Sequence, residues 1–195
     1  MILYLVTTNP NKLKEINDIL PDNFEIKSIN EIVSKNEVEE NGDTFLQNAI
    51  KKVEAFKEQS VYLLSDDSGL EIECLKGFPG VKSARYLEDA SYHEKMESIL
   101  KKLKNCENRT ARFRCSAIFY DPFNENYFAS EGYVKGTISR TIKGKKGFGY
   151  DPIFVPDGYN KTFGELGHDV KSKISHRVNA FKKLFSLIDL YFEQE

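Results

Sequence analysis

The sequence predicts an α/β protein, and three observations carry that class. In the first 60 residues an apolar strand-like run alternates with amphipathic helical stripes. Residues 112–138 hold two alternating segments that pair as a hairpin. The 195-residue length predicts one domain, 1–195, on a prior of ~150 residues per domain, and lets roughly 70% of the unfolded surface be buried without a metal or disulfide staple.

Ile2 to Val6 reads as a buried strand. Thr7-Thr8-Asn9-Pro10 supplies a turn, an N-cap in Asn9 and Pro at the first helical position. The following helix carries Leu13, Ile16, Ile19 and Leu20 and stops at Pro21. Phe24 to Ile29 predicts a second strand, and Glu31 to Asp43 is polar and acidic. From Thr44, the residues Phe45, Leu46, Ala49, Ile50, Val53 and Phe56 form one helical stripe. Tyr62 to Leu64 is a short apolar run that ends in a turn at Ser65-Asp66-Asp67-Ser68-Gly69, and Leu70 to Glu73 alternates again. Phe78-Pro79-Gly80 is turn chemistry. Ser91 and Glu94 have capping-box spacing before a helix that buries Tyr92, Met96, Ile99, Leu100 and Leu103. Arg112 to Tyr120 pairs with Tyr127 to Ile138, a glycine-rich basic loop spans 144–149, Ile153 to Val155 is a further apolar run, and a last helix starts near Ser175.

Lys+Arg 28 against Asp+Glu 30 leaves a net charge of −2, which excludes a general nucleic-acid surface. The longest apolar run falls far short of the ~20 residues that span a bilayer, so no membrane segment is expected. Cys74, Cys106 and Cys115 are odd in number and lack CxxC spacing, so neither a disulfide framework nor a zinc ribbon is indicated. No secretory leader is visible, and a reducing cytoplasm is the expected setting.

The near-zero charge is segregated. Glu37, Glu39, Glu40, Asp43, Asp66 and Asp67 concentrate acid in the first third, while Lys171, Lys173, Arg177, Lys182 and Lys183 make residues 171–183 basic, beside His176. Acids for a divalent cation and bases for phosphates are the combination phosphoryl chemistry requires. At Thr7 to Lys12 the unpaired amides of a helix start and the Lys12 ammonium favour an anion, although a plain N-cap by Asn9 accounts for the same residues. Asp66-Asp67 fits either an Asx-type turn or a carboxylate that binds Mg²⁺ and deprotonates water. Phe148 has a ring suited to stacking on a purine. Neither a Walker A loop nor a GxGxxG fingerprint is present, and no GxSxG elbow accompanies Ser175-His176.

Six collinear segments resemble the inosine triphosphate pyrophosphatase family, the Ham1-like non-canonical purine triphosphatases: T-T-N-P-N-K at 7–12, E-E-N-G-D-T-F at 39–45, D-D-S-G-L at 66–70, G-F-P-G-V-K-S-A-R-Y at 77–86, G-F-G-Y-D-P-I-F at 147–154 and K-S-K-I-S-H-R at 171–177. The resemblance implies an elongated mixed β-sheet flanked by helices, with two lobes around a central active-site cleft. It implies Mg²⁺-assisted hydrolysis of ITP, dITP and XTP to the monophosphate and pyrophosphate, by a homodimer. Carried over by position, Asp67 is the general base and a metal ligand, with Glu39 as the second metal carboxylate. Thr7, Thr8, Asn9, Pro10, Asn11 and Lys12 hold phosphates, and Ser68 touches substrate. Phe148, Gly149, Tyr150, Asp151, Lys171, His176 and Arg177 form the nucleotide pocket. Alternatives are a broader pyrophosphatase acting on modified pyrimidine triphosphates and a non-catalytic nucleotide-sensing module. Two positions depart from the family pattern: Thr8 stands where Gly is usual, and Gln47 where bacterial members commonly carry Glu.

Overall fold

The computed structural model describes residues 1–33 and 38–193, so the expected contribution of Glu37 to the acidic segment lies outside the described residues. The strands are β1 (Ile2–Val6), β2 (Glu25–Ser28), β3 (Leu63–Ile72), β4 (Phe78–Pro79), β5 (Thr110–Asp121), β6 (Asn126–Ile138) and β7 (Phe154–Pro156). The helices are α1 (Pro10–Asn17), α2 (Phe45–Glu54), α3 (Tyr92–Lys102), α4 (Phe163–Leu166), α5 (His168–Ile174) and α6 (His176–Phe192). The strands follow the order β2-β1-β3-β5-β6-β7, with β4 paired to β3. The sheet is mixed: β1 runs parallel to β2 and β3, with Leu5 opposite Ser28 and Leu64, while β3/β4 and β6/β7 are antiparallel.

The chain divides into two compact units. The first is drawn from Met1–Asp67, Cys115–Gly132 and His176–Glu195. Its strands are covered on both faces. Leu3, Leu5, Leu64, Cys115, Ala117 and Phe119 pack with Ile16 of α1 and Ala180, Phe181, Leu184 and Ile188 of α6. Val6, Leu63, Ile118 and Tyr120 pack with Ala49 and Val53 of α2. Successive strand side chains point to opposite faces, so β5 feeds one cluster with its odd positions and the other with its even ones. The second unit, Ser68–Arg114 and Tyr133–Ser175, has one core in which Leu70, Ile72, Phe113, Val134, Ile138, Phe154 and Phe163 pack with Met96 and Ile99 of α3.

Local chemistry explains the element boundaries. Asn9 caps α1 with its side chain, and Pro10 occupies the first turn. Thr44/Gln47, Ser91/Glu94 and Thr162/Glu165 are complete capping boxes that start α2, α3 and α4.

Four expectations are corrected. Helix α1 ends at Asn17 rather than Leu20, because Ile19 N–H and Leu20 N–H turn back to Ile16 O and Asn17 O ahead of Pro21. The segment 65–69 is not a turn: β3 runs unbroken from Leu63 to Ile72. Helices α4 and α5 were not anticipated, since each is too short for its periodicity to register. Cys74 and Cys106 form a disulfide, and Cys115 is the buried thiol. A pair separated by 32 residues carries no spacing signal.

At Gly132, on β6, an added Cβ would lie 2.2 Å from His176 O and 2.3 Å from Ala180 N. This close approach seats the first turns of α6. Gly132→Ala is therefore expected to cost about 1–3 kcal/mol through overpacking. Thermal unfolding checks it: the midpoint should fall by roughly 2–4 °C per kcal/mol, and an unchanged midpoint would show that α6 can retreat without loss.

Candidate active site

Asp66 and Asp67 are adjacent, but their side chains part company, because a strand sends successive side chains to opposite faces. Asp66 is fully buried toward α1 and α6. Its Oδ2 accepts from Lys12 Nζ at 3.0 Å, from Arg177 Nε and Nη2 at 3.3 Å each, and from the Cys115 thiol at 3.7 Å. Arg177 Nη1 donates in turn to Glu15 of α1. Asp67 faces α2: its Oδ2 accepts from Asn48 Nδ2 at 2.8 Å, and its Oδ1 lies 3.8 Å from Lys52 Nζ. The Lys52 ammonium also donates to Asp66 O at 2.9 Å and pairs with Glu40 at 2.6 Å. Ser65 Oγ donates to Ala49 O, pinning the same strand to α2.

These surroundings set the two acids apart. Burial alone would raise the Asp66 carboxyl, but Lys12, Arg177 and Lys52 outweigh it and hold the group well below the usual carboxylate range. At Asp67 burial dominates, and Glu40 adds to it against Lys52 and Lys12, so its proton affinity is raised. Burial lowers Lys12, helped by Lys52 and Arg177 against Asp66. Burial would lower Lys52 too, but Asp67, Glu40 and Asp66 reverse the direction. Burial and the Asp66 charge raise the Cys115 thiol well above its ordinary value, so it stays protonated and donates.

At the start of α1, Asn9 N–H donates to Thr7 Oγ1 and Asn11 N–H to Asn9 Oδ1. Thr8 is not among the residues with positive φ, so a β-branched residue meets no backbone conflict there. Gln47 accepts from Asp43 N–H at 2.8 Å and Thr44 N–H at 3.1 Å through Oε1. An amide oxygen suffices for that cap, and the role needs no charge.

Of the two adjacent glutamates, the structure brings Glu40 into this cluster, whereas Glu39 is exposed. Among the described residues no group of three His, Cys, Asp or Glu side chains is gathered as a metal site. Glu40 and Asp67 nevertheless converge on one cation, the Lys52 ammonium. Hard carboxylate oxygens of this kind are the donors Mg²⁺ takes, completed by water and substrate oxygens.

A separate cluster lies in the second unit. Asp151 Oδ2 accepts from Phe148 N–H at 2.9 Å and from Lys171 Nζ at 2.6 Å, and both charged side chains are buried. The Lys171 ammonium sits 4.1 Å from the Phe148 ring centroid, a cation–π contact. Gly147 has φ +76, and a Cβ there would fall 2.1 Å from Asp151 Oδ2; only glycine lets the loop close on that carboxylate. Tyr150 is turned into the core, where its hydroxyl donates to Ser83 O. Gly149 lies against the Tyr92 ring. His176 and Arg177, the first residues of α6, are buried in the first unit, and Ser68 is half-buried on β3.

Sequence reasoning did not find Glu15, Asn48 or Lys52. A signal existed for two of them. The buried positions of α2 are Phe45, Asn48, Ala49, Lys52 and Val53, one continuous stripe at helical spacing in which an amide and an ammonium occupy core positions.

Substituting Asp66 tests the first cluster. Breaking a buried pair leaves Arg177 and Lys12 uncompensated, so Asp66→Asn is expected to lose ~3–5 kcal/mol at pH 7. Because its folded carboxyl is held low, the contribution is present above the unfolded value of ~3.9 and is lost as pH falls toward the folded one. Denaturant unfolding at pH 7 and pH 3 should therefore show a large gap from the native protein that narrows in acid. An equal gap at both pH values would contradict the assignment.

A family model for the Ham1 family matches residues 3–187. A protein from Desulforamulus reducens named dITP/XTP pyrophosphatase is 44% identical, with 100% of both chains covered. One of the same name from Bacillus subtilis is 45% identical over 95% of this chain and 96% of the relative. The solved Ham1 protein of Staphylococcus aureus superposes with a TM-score of 0.88 at 37% identity, covering 97% of this chain and 98% of that one.

Proposed function

This chain belongs to the Ham1 family, and from that premise we propose that it hydrolyses the non-canonical purine nucleoside triphosphates ITP, dITP and XTP to the monophosphate and pyrophosphate. The observation that carries the reading is the split of two adjacent acids: Asp66 is locked by Lys12 and Arg177 on one face of β3, and Asp67, on the other, faces Asn48 and Lys52 and is the acid to which the chemistry is assigned. The names of the relatives, dITP/XTP pyrophosphatases at 44% and 45% identity, support the substrate class.

In this reading Asp67 takes a proton from water as its oxygen attacks the α-phosphorus. The bond from that phosphorus to the bridging oxygen breaks, pyrophosphate leaves, and the nucleoside monophosphate retains the new oxygen. Lys12 and Lys52 neutralise charge on the leaving group, and the amides and side chains of Thr7 to Asn11 hold phosphate oxygens. Asp67, with a carboxylate from the Glu39-Glu40 pair, would hold Mg²⁺. When bound, that ion supplies charge neutralisation at the phosphates.

Base selection is assigned to Phe148, Gly149, Tyr150, Asp151 and Lys171, together with His176 and Arg177. Donors meeting a 6-oxo group would accept hypoxanthine or xanthine; the 6-amino group of adenine would leave buried polar groups unpaired, at ~1–3 kcal/mol each. The whole chain, 1–195, acts as one catalytic domain, as a homodimer in the cytoplasm. No helix among the described residues is long and apolar enough to cross a membrane.

The test is a panel of triphosphates with Mg²⁺, scored for pyrophosphate against orthophosphate. Pyrophosphate released from ITP, dITP and XTP well ahead of ATP and UTP is expected; orthophosphate, or equal rates on UTP, would overturn the reading. Asp67→Asn should cut kcat by about 10²–10⁴, the usual contribution of a general base, while ITP binding measured by calorimetry stays within a few-fold. Near-native turnover would remove Asp67 from that role.

A further inference from the structure

We propose that Asn48 is a positioning residue for the reaction: its side-chain amide sets the orientation of the Asp67 carboxylate and ties the acidic segment to it. The proposal rests on Asp67 acting as the base. Asn48 is completely buried in the apolar stripe of α2, a location that disfavours a primary amide unless both ends are hydrogen-bonded. Both are. Its Oδ1 accepts from Gly42 N–H at 2.8 Å, and its Nδ2 donates to Asp67 Oδ2 at 2.8 Å.

The two bonds are coupled through the chemistry of the amide. A backbone N–H only donates, so Gly42 dictates which end of the group carries the oxygen. The NH₂ is thereby directed at Asp67. Accepting that bond fixes the rotation of the carboxylate and so the direction in which Oδ1 is presented. Position 42 is matched to the arrangement, because an added Cβ would fall 2.7 Å from Asn48 Oδ1. The same helix holds the rest of the segment: Lys52 pairs with Glu40, Lys51 donates to Asn41, and Gln47 accepts from Asp43 and Thr44 N–H. Lys52 also faces both, but at 3.8 Å from Asp67 Oδ1 it acts on the carboxylate as a charge; Asn48 joins the segment to that carboxylate by a hydrogen bond at each end. Misplacing a reacting group by about 1 Å costs on the order of 10²-fold in rate.

The test is a double-mutant cycle with Asp67→Asn, using ITP as substrate. Asn48→Asp keeps the shape and the acceptor for Gly42 but removes the donor. It is expected to lower kcat about 10–100-fold with KM within about threefold, the signature of lost positioning rather than lost binding. In the Asp67→Asn background, where the donor and acceptor are simply exchanged, the same change should alter the residual kcat by less than about twofold. A role confined to stability would reduce both backgrounds alike, and that result overturns the proposal, as does native kcat in the single variant. Asn48→Leu gives a second arm, with the same loss of kcat and faster hydrogen exchange at Gly42 N–H; slow exchange there would also count against it. An Asp67→Asn enzyme that turns over at the native rate overturns the base reading and this proposal together. An inactive Asp67→Asn beside a fully active Asn48→Asp overturns this proposal alone.

Discussion

The burial of Asp66 is the constraint on which the first unit depends. A carboxylate removed from water costs several kcal/mol unless its charge is met at close range, and here Lys12 from α1 and Arg177 from α6 meet it on β3. Each is itself largely or fully buried, so none can leave without stranding another charge. The ion cluster thus fixes the start of α1, the start of α6 and one strand relative to one another. Glu15 extends the lock by engaging the far side of the same guanidinium. Hydrophobic contacts hold these elements together with more energy but less direction; charge-assisted hydrogen bonds specify the register in which they meet.

Strand alternation then separates two chemically identical neighbours. Asp66 falls on the face with two close cations, and Asp67 falls on the face where burial dominates and an amide is the closest partner. Acid and base assignments generally arise where environments push paired groups apart. In this chain the device is the two-residue period of a strand, which needs no special loop. A turn at 65–69 would have left both side chains on one edge, solvated and alike.

Much of this was legible in the amino-acid order. Helix α2 followed from the stripe of Phe45, Ala49 and Val53, α3 from the Ser91–Glu94 box, and the paired strands from their alternation. The partners Lys171 and Asp151 were both singled out as site residues, and they meet at 2.6 Å. What local patterns did not disclose depends on long-range pairing. D-D-S-G reads as a turn because its composition is that of turns; it is a strand because α1, α2 and α6 supply charged and amide partners for its two carboxylates, one of them 111 residues away. Asn48 and Lys52 were missed for a related reason. The helical stripe was read through its apolar members, whereas the polar residues within it were the ones that mark a site.

Charge accounting within the first unit gives the cluster a further property. Lys12, Lys52 and Arg177 stand against Glu15, Glu40, Asp66 and Asp67, so the acids outnumber the bases. A nucleoside triphosphate brings several more negative charges, and in a partly desolvated site each is felt strongly. The bases already present are committed to carboxylates, and Lys12 in addition holds its proton less tightly than usual. A polyanion drawing on Lys12 and Lys52 would therefore compete with these carboxylates, and positive charge of its own would relieve that competition. In the proposed reaction a divalent cation accompanying the anion would supply that charge. The overall charge of −2 is thus a poor guide to this protein. In the proposed reaction its local arrangement would suit a small anion that arrives already partly neutralised rather than a long bare polyanion.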